Sequence, residues 1–165
     1  MRKLCIFATH HQFQVDSPMD SAFDGHLREL IQDHQVDCIL EEATGLPAKS
    51  CVELLADELG IRWANIDLTA EQRKLVPDSA LTGKYDTLQD LRLHSHRERA
   101  WVAEVSEMVV NSGLLIVGLC HVLSMGEKLR GVDFEVEAHV YDPKRVYNWT
   151  GRPRVSPAQT KPKSK

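Results

Sequence analysis

Four short groups of residues carry the chemistry this chain could do. They are Thr9-His10-His11, Glu41-Glu42, Asp67 and Gly118-Leu119-Cys120-His121. Neutral imidazole nitrogen and anionic carboxylate oxygen are the ligands that zinc, manganese and iron(II) take. The same residue types also work without a metal, with a histidine as general base and a glutamate orienting it. A fifth group, His94, His96, Arg97, Glu98 and Arg99, adds cations. Arg97 stands three residues after His94 and four before Trp101, so on a helix the three share a face. From that face Arg97, with Arg99 and His94 nearby, would hold a substrate carboxylate or phosphate. Each group also has a plainer use, as turn caps, solvated charges or a polar helix face, and the residues alone leave these alternatives open.

What would bring the groups together is the order of elements. Leu114-Leu115-Ile116-Val117-Gly118 is an apolar run without alternation, which suits a strand covered on both faces. A strand at about 3–8 leads to a helix carrying Met19, Phe23, Leu27, Leu30 and Ile31, with Asp16-Ser17-Pro18 as its expected start. Val36–Leu40 predicts a second strand, Val52, Leu55 and Leu59 a helix closed by Gly60, and Ile61–Ile66 a third strand. Thr69 and Gln72 have the spacing of a capping box. A polar loop over 77–87 precedes a long helix over 87–111 with Leu88, Leu91, Val102, Val105 and Val109 as its stripe. After the Leu114 strand and a helix over 123–129, alternation from Val132 to Val140 predicts a last strand, read as an edge.

Strands alternating with helices give a single three-layer α/β domain, with a mostly parallel five-stranded sheet and helices on both faces. Residues 1–142 form it, and 143–165 are expected to be a disordered basic tail containing proline. In such sheets ligands bind outside the carboxyl ends of the strands, where all four groups fall.

Composition narrows the function classes. Of the residues 42% are hydrophobic and 27% charged, ordinary values for a globular chain. No apolar run reaches the roughly 18–20 residues of a membrane helix. The apolar N-terminal run is short and meets His10 at once, which argues against a signal peptide and for a cytoplasmic protein. The cysteines Cys5, Cys38, Cys51 and Cys120 form no CxxC pair and are expected to be reduced core residues, with Cys120 the exception as a candidate reactive thiol. Residues 143–165 hold seven basic residues and no acid, whereas 1–142 carry 13 basic against 24 acidic residues, a net −11. That body repels phosphate, so nucleic acid is not an expected partner despite the basic tail. No Walker loop, GxGxxG, GxSxG or HExxH is present.

Gly118-Leu119-Cys120-His121 after an apolar strand, Ala8-Thr9-His10-His11 ending the first strand, an acidic pair after the second, and Arg97-Glu98-Arg99 in a helix ahead of the glycine strand occur in this order. In this the chain resembles the GxxH superfamily of TraB, pheromone-shutdown and Tiki proteins, with erythromycin-esterase and ChaN-like proteins as distant relatives. The likeness spans about residues 3–131, rests on these short motifs, and departs from the pattern at Ala8, where a glycine is usual. It implies a divalent-metal-dependent hydrolase of peptide, ester or amide bonds. Carried over, His121, His10 or His11, and Glu41 or Glu42 would hold Mn, Fe or Zn, with Glu42, Arg97 and His121 catalytic. The erythromycin-esterase branch implies metal-free hydrolysis by a histidine base. The expected partner is a small-molecule or peptide substrate. A non-catalytic module binding small anions or a partner is the other class, and the oligomeric state stays open.

Overall fold

The computed structural model describes residues 1–15, 19–43, 49–69, 71–72, 87–142 and 145–149. Strands β1 (Arg2–Thr9), β2 (Cys38–Glu41), β3 (Arg62–Asn65), β4 (Ser112–Gly118), β5 (Phe134–Asp142) and β6 (Arg145–Trp149) form one sheet in the order β3-β2-β4-β1-β5-β6. The first five are parallel, and β6 joins antiparallel to β5. The helices are α1 (Gln12–Val15), α2 (Ser21–Asp33), α3 (Cys51–Leu59), α4 (Thr87–Met108) and α5 (Val122–Arg130). This is the expected single α/β domain.

Alternate residues of the central strands feed two cores, as the two-residue period of a strand requires. Cys5, Phe7, Ile39, Leu114 and Ile116 pack with Phe13, Phe23, Leu27, Val52 and Leu55 under α1, α2 and α3. Leu4, Ile6, Ala8, Leu40, Leu115 and Val117 pack with Trp101, Val105, Val109, Met125 and Leu129 under α4 and α5. Every residue of β4 is buried, so its unalternating sequence reports cover on both faces. The crossovers through α2 and α3 run over one face and those through α4 and α5 over the other, as right-handed connections of opposite direction demand. Chain direction therefore switches on both sides of β4, where β1 and β2 send their continuations to one face and β4 sends its own to the other.

Local chemistry sets the element ends, in places differently from the sequence reading. Asp20, not the Asp16-Ser17-Pro18 stretch, caps α2, its Oδ1 accepting from the Ala22 and Phe23 amides at 3.0 Å each. Tyr141 donates to the same oxygen at 3.0 Å and so ties the helix start to β5. These bonds hold the Asp20 carboxyl below its ordinary value, the Phe23 amide most strongly. Residues 16–18 themselves lie outside the described residues. Ser50 caps α3, and Gly60 closes it at φ 66°, a left-handed turn that glycine enters without a Cβ clash. The Thr69–Gln72 capping box is present in both directions, at 2.7 and 3.2 Å. The loop expected at 77–87 falls on residues 77–86 that lie outside the described ones.

Two expectations about the C-terminal part are corrected. Residues 145–149, assigned to the tail, form β6, because Arg145-Val146-Tyr147-Asn148-Trp149 is rich in the branched and aromatic types that suit a strand. With β6 in place β5 is not an edge: it pairs with β1 on one side and β6 on the other. The alternation along β5 reports a partly exposed face, whereas an edge is defined by unpaired backbone groups at the side of a strand. Residues 150–165 lie outside the described residues. Among the described residues no helix is long and apolar enough to cross a membrane.

Candidate functional site

Parallel pairing aligns the strand ends: Thr9 lies opposite Gly118, and Glu41 opposite Ile116. The residues that leave β1, β2 and β4 therefore meet around β4, at the point where the crossovers change face. Glu42, the first residue beyond β2, lies at the centre and is 1% exposed. Its Oε2 accepts from the Gly118 amide at 2.8 Å, and its Oε1 accepts from Arg97 Nη2. His11 Nε2 lies 3.7 Å from Oε2, and His121 Nε2 lies 3.7 Å from Oε1.

Gly118 is needed here for closeness rather than for backbone freedom. Its φ of −61° suits any residue. A Cβ at this position, however, would stand 2.9 Å from His11 Nε2 and 3.4 Å from Glu42 Oε2. The glycine lets two side chains cross the end of β4.

Each of the two imidazoles is oriented through its other nitrogen. His121 Nδ1 lies 2.8 Å from Glu98 Oε1, and because a carboxylate only accepts, the proton sits on Nδ1 and Nε2 turns toward Glu42. Glu98 also accepts from Ser124 and, at 2.7 Å, from Lys128. Burial opposes ionisation of Glu98, but His121, Lys128 and Ser124 outweigh it and hold the carboxyl below its ordinary value. Burial likewise works against charge on His121, yet the Cys120 thiol, Glu98 and Glu42 together raise its basicity. Trp101 packs edge-on to the His121 ring at 4.8 Å between centroids. His11 Nδ1 lies 2.6 Å from Gln14 Oε1, and Gln14 Nε2 passes the chain of bonds on to Glu41 Oε1 at 2.9 Å.

The acidic pair divides between two tasks. Glu41, the last residue of β2, accepts from Gln14, from Ser50 at 2.6 Å and from Trp63 at 2.8 Å. Its burial raises the carboxyl above its ordinary value despite these donors. It braces β2 against α3, and Glu42 alone enters the cluster. Arg97 reaches the cluster from α4 and bonds Asp67 Oδ1 through Nε at 3.0 Å and Nη2 at 2.8 Å. Its guanidinium lies 4.8 Å over the Trp101 ring. Arg97 is thus a counter-ion shared by two buried carboxylates.

The remaining expected residues lie elsewhere. His10 is exposed, its ring 6.4 Å from that of Phe13, so His11 is the histidine of the pair that meets Glu42. Arg99 is exposed, about 200° around α4 from Arg97, and so turns away from the cluster. The side chain of His94 lies outside the described residues. Cys5, Cys38 and Cys51 are buried and Cys120 is exposed, all as free thiols. Two positioning residues carried no expected role. Glu98 had a signal: it falls three residues before Trp101 and seven before Val105, a carboxylate on the buried stripe of α4. Gln14, buried beside Phe13 in a single helical turn, had none that periodicity could supply.

The donor chemistry of His11, Glu42 and His121 suits a divalent cation, and tying down the Nδ1 atoms is how metal-binding histidines are commonly oriented. Arg97 and the Gly118 amide already sit on the Glu42 oxygens, however, and the three residues do not bring donors within 4.8 Å of one another. The half-exposed ring of His11 is the part able to close that gap. No protein-family model matches this chain, and neither a curated protein nor a solved structure matches it.

Proposed function

We propose that the cluster at the end of β4 is a hydrolytic site for ester, amide or peptide bonds, assisted by a divalent cation held by His11, Glu42 and His121. One observation carries the reading: two imidazoles, each fixed through Nδ1, set their Nε2 atoms 3.7 Å from the two oxygens of one buried carboxylate. Bound there, Mn, Fe(II) or Zn would bring the pKa of a water toward neutrality and polarise the bond to be cut. Glu98 keeps the proton on His121 Nδ1, so Nε2 faces inward. Gln14 does the same for His11. Arg97, itself held by Asp67, keeps Glu42 in place. His11 and the Cys120 thiol are the exposed members of the group and mark its solvent side.

A second reading has its own support. Since Arg97 and the Gly118 amide already satisfy Glu42, His121 held by Glu98 serves equally as a metal-free general base. One experiment separates the two. Purified untagged protein and His121→Ala are assayed for bound metal, and for turnover of activated esters and short peptides before and after chelation. The cation reading expects about one equivalent of metal at this cluster and turnover that chelation abolishes. Turnover that survives chelation but is lost in His121→Ala establishes the metal-free base. Turnover unchanged in His121→Ala, or none on either substrate class with Mn, Fe(II) and Zn supplied, overturns both.

A further inference from the structure

A second group of donor side chains lies apart from this cluster, on the α2 face of the β1–β5 pair. The Sγ of Cys5 and a ring nitrogen of each of His34 and His139 lie within 4.8 Å of one another. Cys5 projects from the middle of β1, four residues before Thr9, which is about 13 Å along the strand. His139 projects from β5 and is the register partner of Phe7, while His34 is the residue that ends α2. Glu137, the register partner of Cys5, stands beside the two histidines. Its Oε1 lies 3.0 Å from His139 Nε2, and its Oε2 lies 3.9 Å from His34 Nε2. We propose that Cys5, His34 and His139 form a site for a thiophilic transition-metal ion, with zinc the best match and Glu137 beside them to take the fourth position.

Three features support this assignment. First, sulfur and two imidazoles are three ligands of the kind zinc takes, and the neighbouring carboxylate is of the type that fills a fourth tetrahedral position. Zinc bonds of about 2.3 Å to sulfur and 2.0–2.2 Å to nitrogen and oxygen place tetrahedral donors roughly 3.3–3.7 Å apart. The donors of Cys5, His34 and His139 lie within 4.8 Å of one another, which leaves up to about an ångström to close, and His34, at the end of a helix, is placed to move. Second, His139 Nε2 is buried and makes no hydrogen bond, since its 3.0 Å approach to Glu137 lacks hydrogen-bond geometry. Buried polar nitrogens are ordinarily satisfied, and a metal would satisfy this one. Third, the donors come from two strands and a helix end, and sheet pairing fixes Cys5 opposite Glu137 with or without an ion.

Burial and the nearby Glu137 push the Cys5 thiol up to about 12, so without metal it remains a thiol. Coordination would replace that proton, releasing it to water as the sulfur–metal bond forms. The site is independent of the hydrolytic reading: it shares no residue with the β4 cluster and would stand if that reading failed.

Cobalt(II) tests the assignment, because a cobalt–thiolate bond gives an intense ultraviolet charge-transfer band that nitrogen and oxygen ligands do not. The 165-residue chain is titrated with Co2+ alone and then back-titrated with Zn2+. The same is done for Cys5→Ser, His34→Ala, His139→Gln and Cys120→Ser. One equivalent of cobalt should give the band, and zinc should displace it. The band should vanish in Cys5→Ser and persist in Cys120→Ser. Affinity in His34→Ala and His139→Gln should fall by more than the about 10- to 100-fold cost of losing an outer partner. His34 is partly exposed, so its variant keeps the test decisive if Cys5→Ser fails to fold. No band in the wild type, a band that follows Cys120, or an affinity unmoved by His34→Ala would each overturn the assignment.

Discussion

Replacing Arg97 by methionine keeps most of the side-chain volume over Trp101 and removes one charge. The guanidinium serves Glu42 and Asp67, whose side chains are each only 2% exposed, while its own is 12% exposed. Losing one partner of a buried ion pair costs about 3–5 kcal/mol, because the remaining charge stays desolvated. Here two carboxylates lose their shared cation at once, although the Gly118 amide still serves Glu42 and the Leu68 amide still serves Asp67. We therefore expect a loss of about 4 kcal/mol, a large share of the roughly 5–15 kcal/mol that holds a domain folded. Urea denaturation measures it: at a slope of roughly 2 kcal/mol/M the midpoint falls by about 2 M. Removing one of these two charges as well, in Arg97→Met/Asp67→Asn, should recover about half of the loss. The amide can still accept from Leu68 while carrying no charge. A single-variant cost under about 1 kcal/mol, near the value of an exposed pair, would refute the reasoning, as would a double variant no more stable than the single.

Gly118→Ala places a methyl group 2.9 Å from His11 Nε2. The half-exposed His11 ring can yield, so the cost should be near the lower end of the about 1–3 kcal/mol for overpacking, a melting-temperature drop of a few degrees, and adding His11→Ala should restore it. Glu98→Gln tests the dyad through pH. The folded state raises His121, so its contribution is full below about 6.5 and is lost as pH climbs through the folded value; Glu98 is lowered, so its contribution is present above about 4.5 and is lost as pH falls through the folded value. The stability gap between wild type and Glu98→Gln should therefore be widest between about 4.5 and 6.5, and a gap that stays constant across pH in denaturant titrations would refute the pairing.

The fold was legible because its strongest signals are long-wavelength ones. The seven buried residues of β4 and the helical stripes of α2 and α3 reflect cover by neighbouring layers, which hydrophobic periodicity reports directly. The boundaries were less legible. Asp16-Ser17-Pro18 reads as a helix start, whereas the residue that caps α2 is Asp20, whose carboxylate also accepts from Tyr141, more than a hundred residues away. β6 is not legible in the sequence because a basic, proline-containing composition averages over a five-residue strand whose pairing depends on β5. In the candidate site parallel strand ends alone bring the His10-His11, Glu41-Glu42 and His121 groups to one edge, and packing decides that His11 and Glu42 are the members that meet. The partner of Arg97 does not follow from strand ends: its length and charge suit a substrate anion as well as Asp67, and only the sheet order decides which it meets.

Glu41 and Glu42 show how far position overrides residue type. Side chains alternate along a strand, so the last residue of β2 must turn into the core beneath α3, where Ser50 and Trp63 wait for it. One residue later the strand has ended, and the next carboxylate is free to turn toward β4. Because nothing larger than hydrogen stands on Gly118, it can lie against that amide. Two identical neighbours thus become a brace for the fold and the centre of a polar cluster. Gln14 joins the two, holding Glu41 through its nitrogen and His11 through its oxygen. The orientation of His11 is therefore coupled to the packing of β2 on α3, and the exposed half of the cluster takes its geometry from the buried half of the fold.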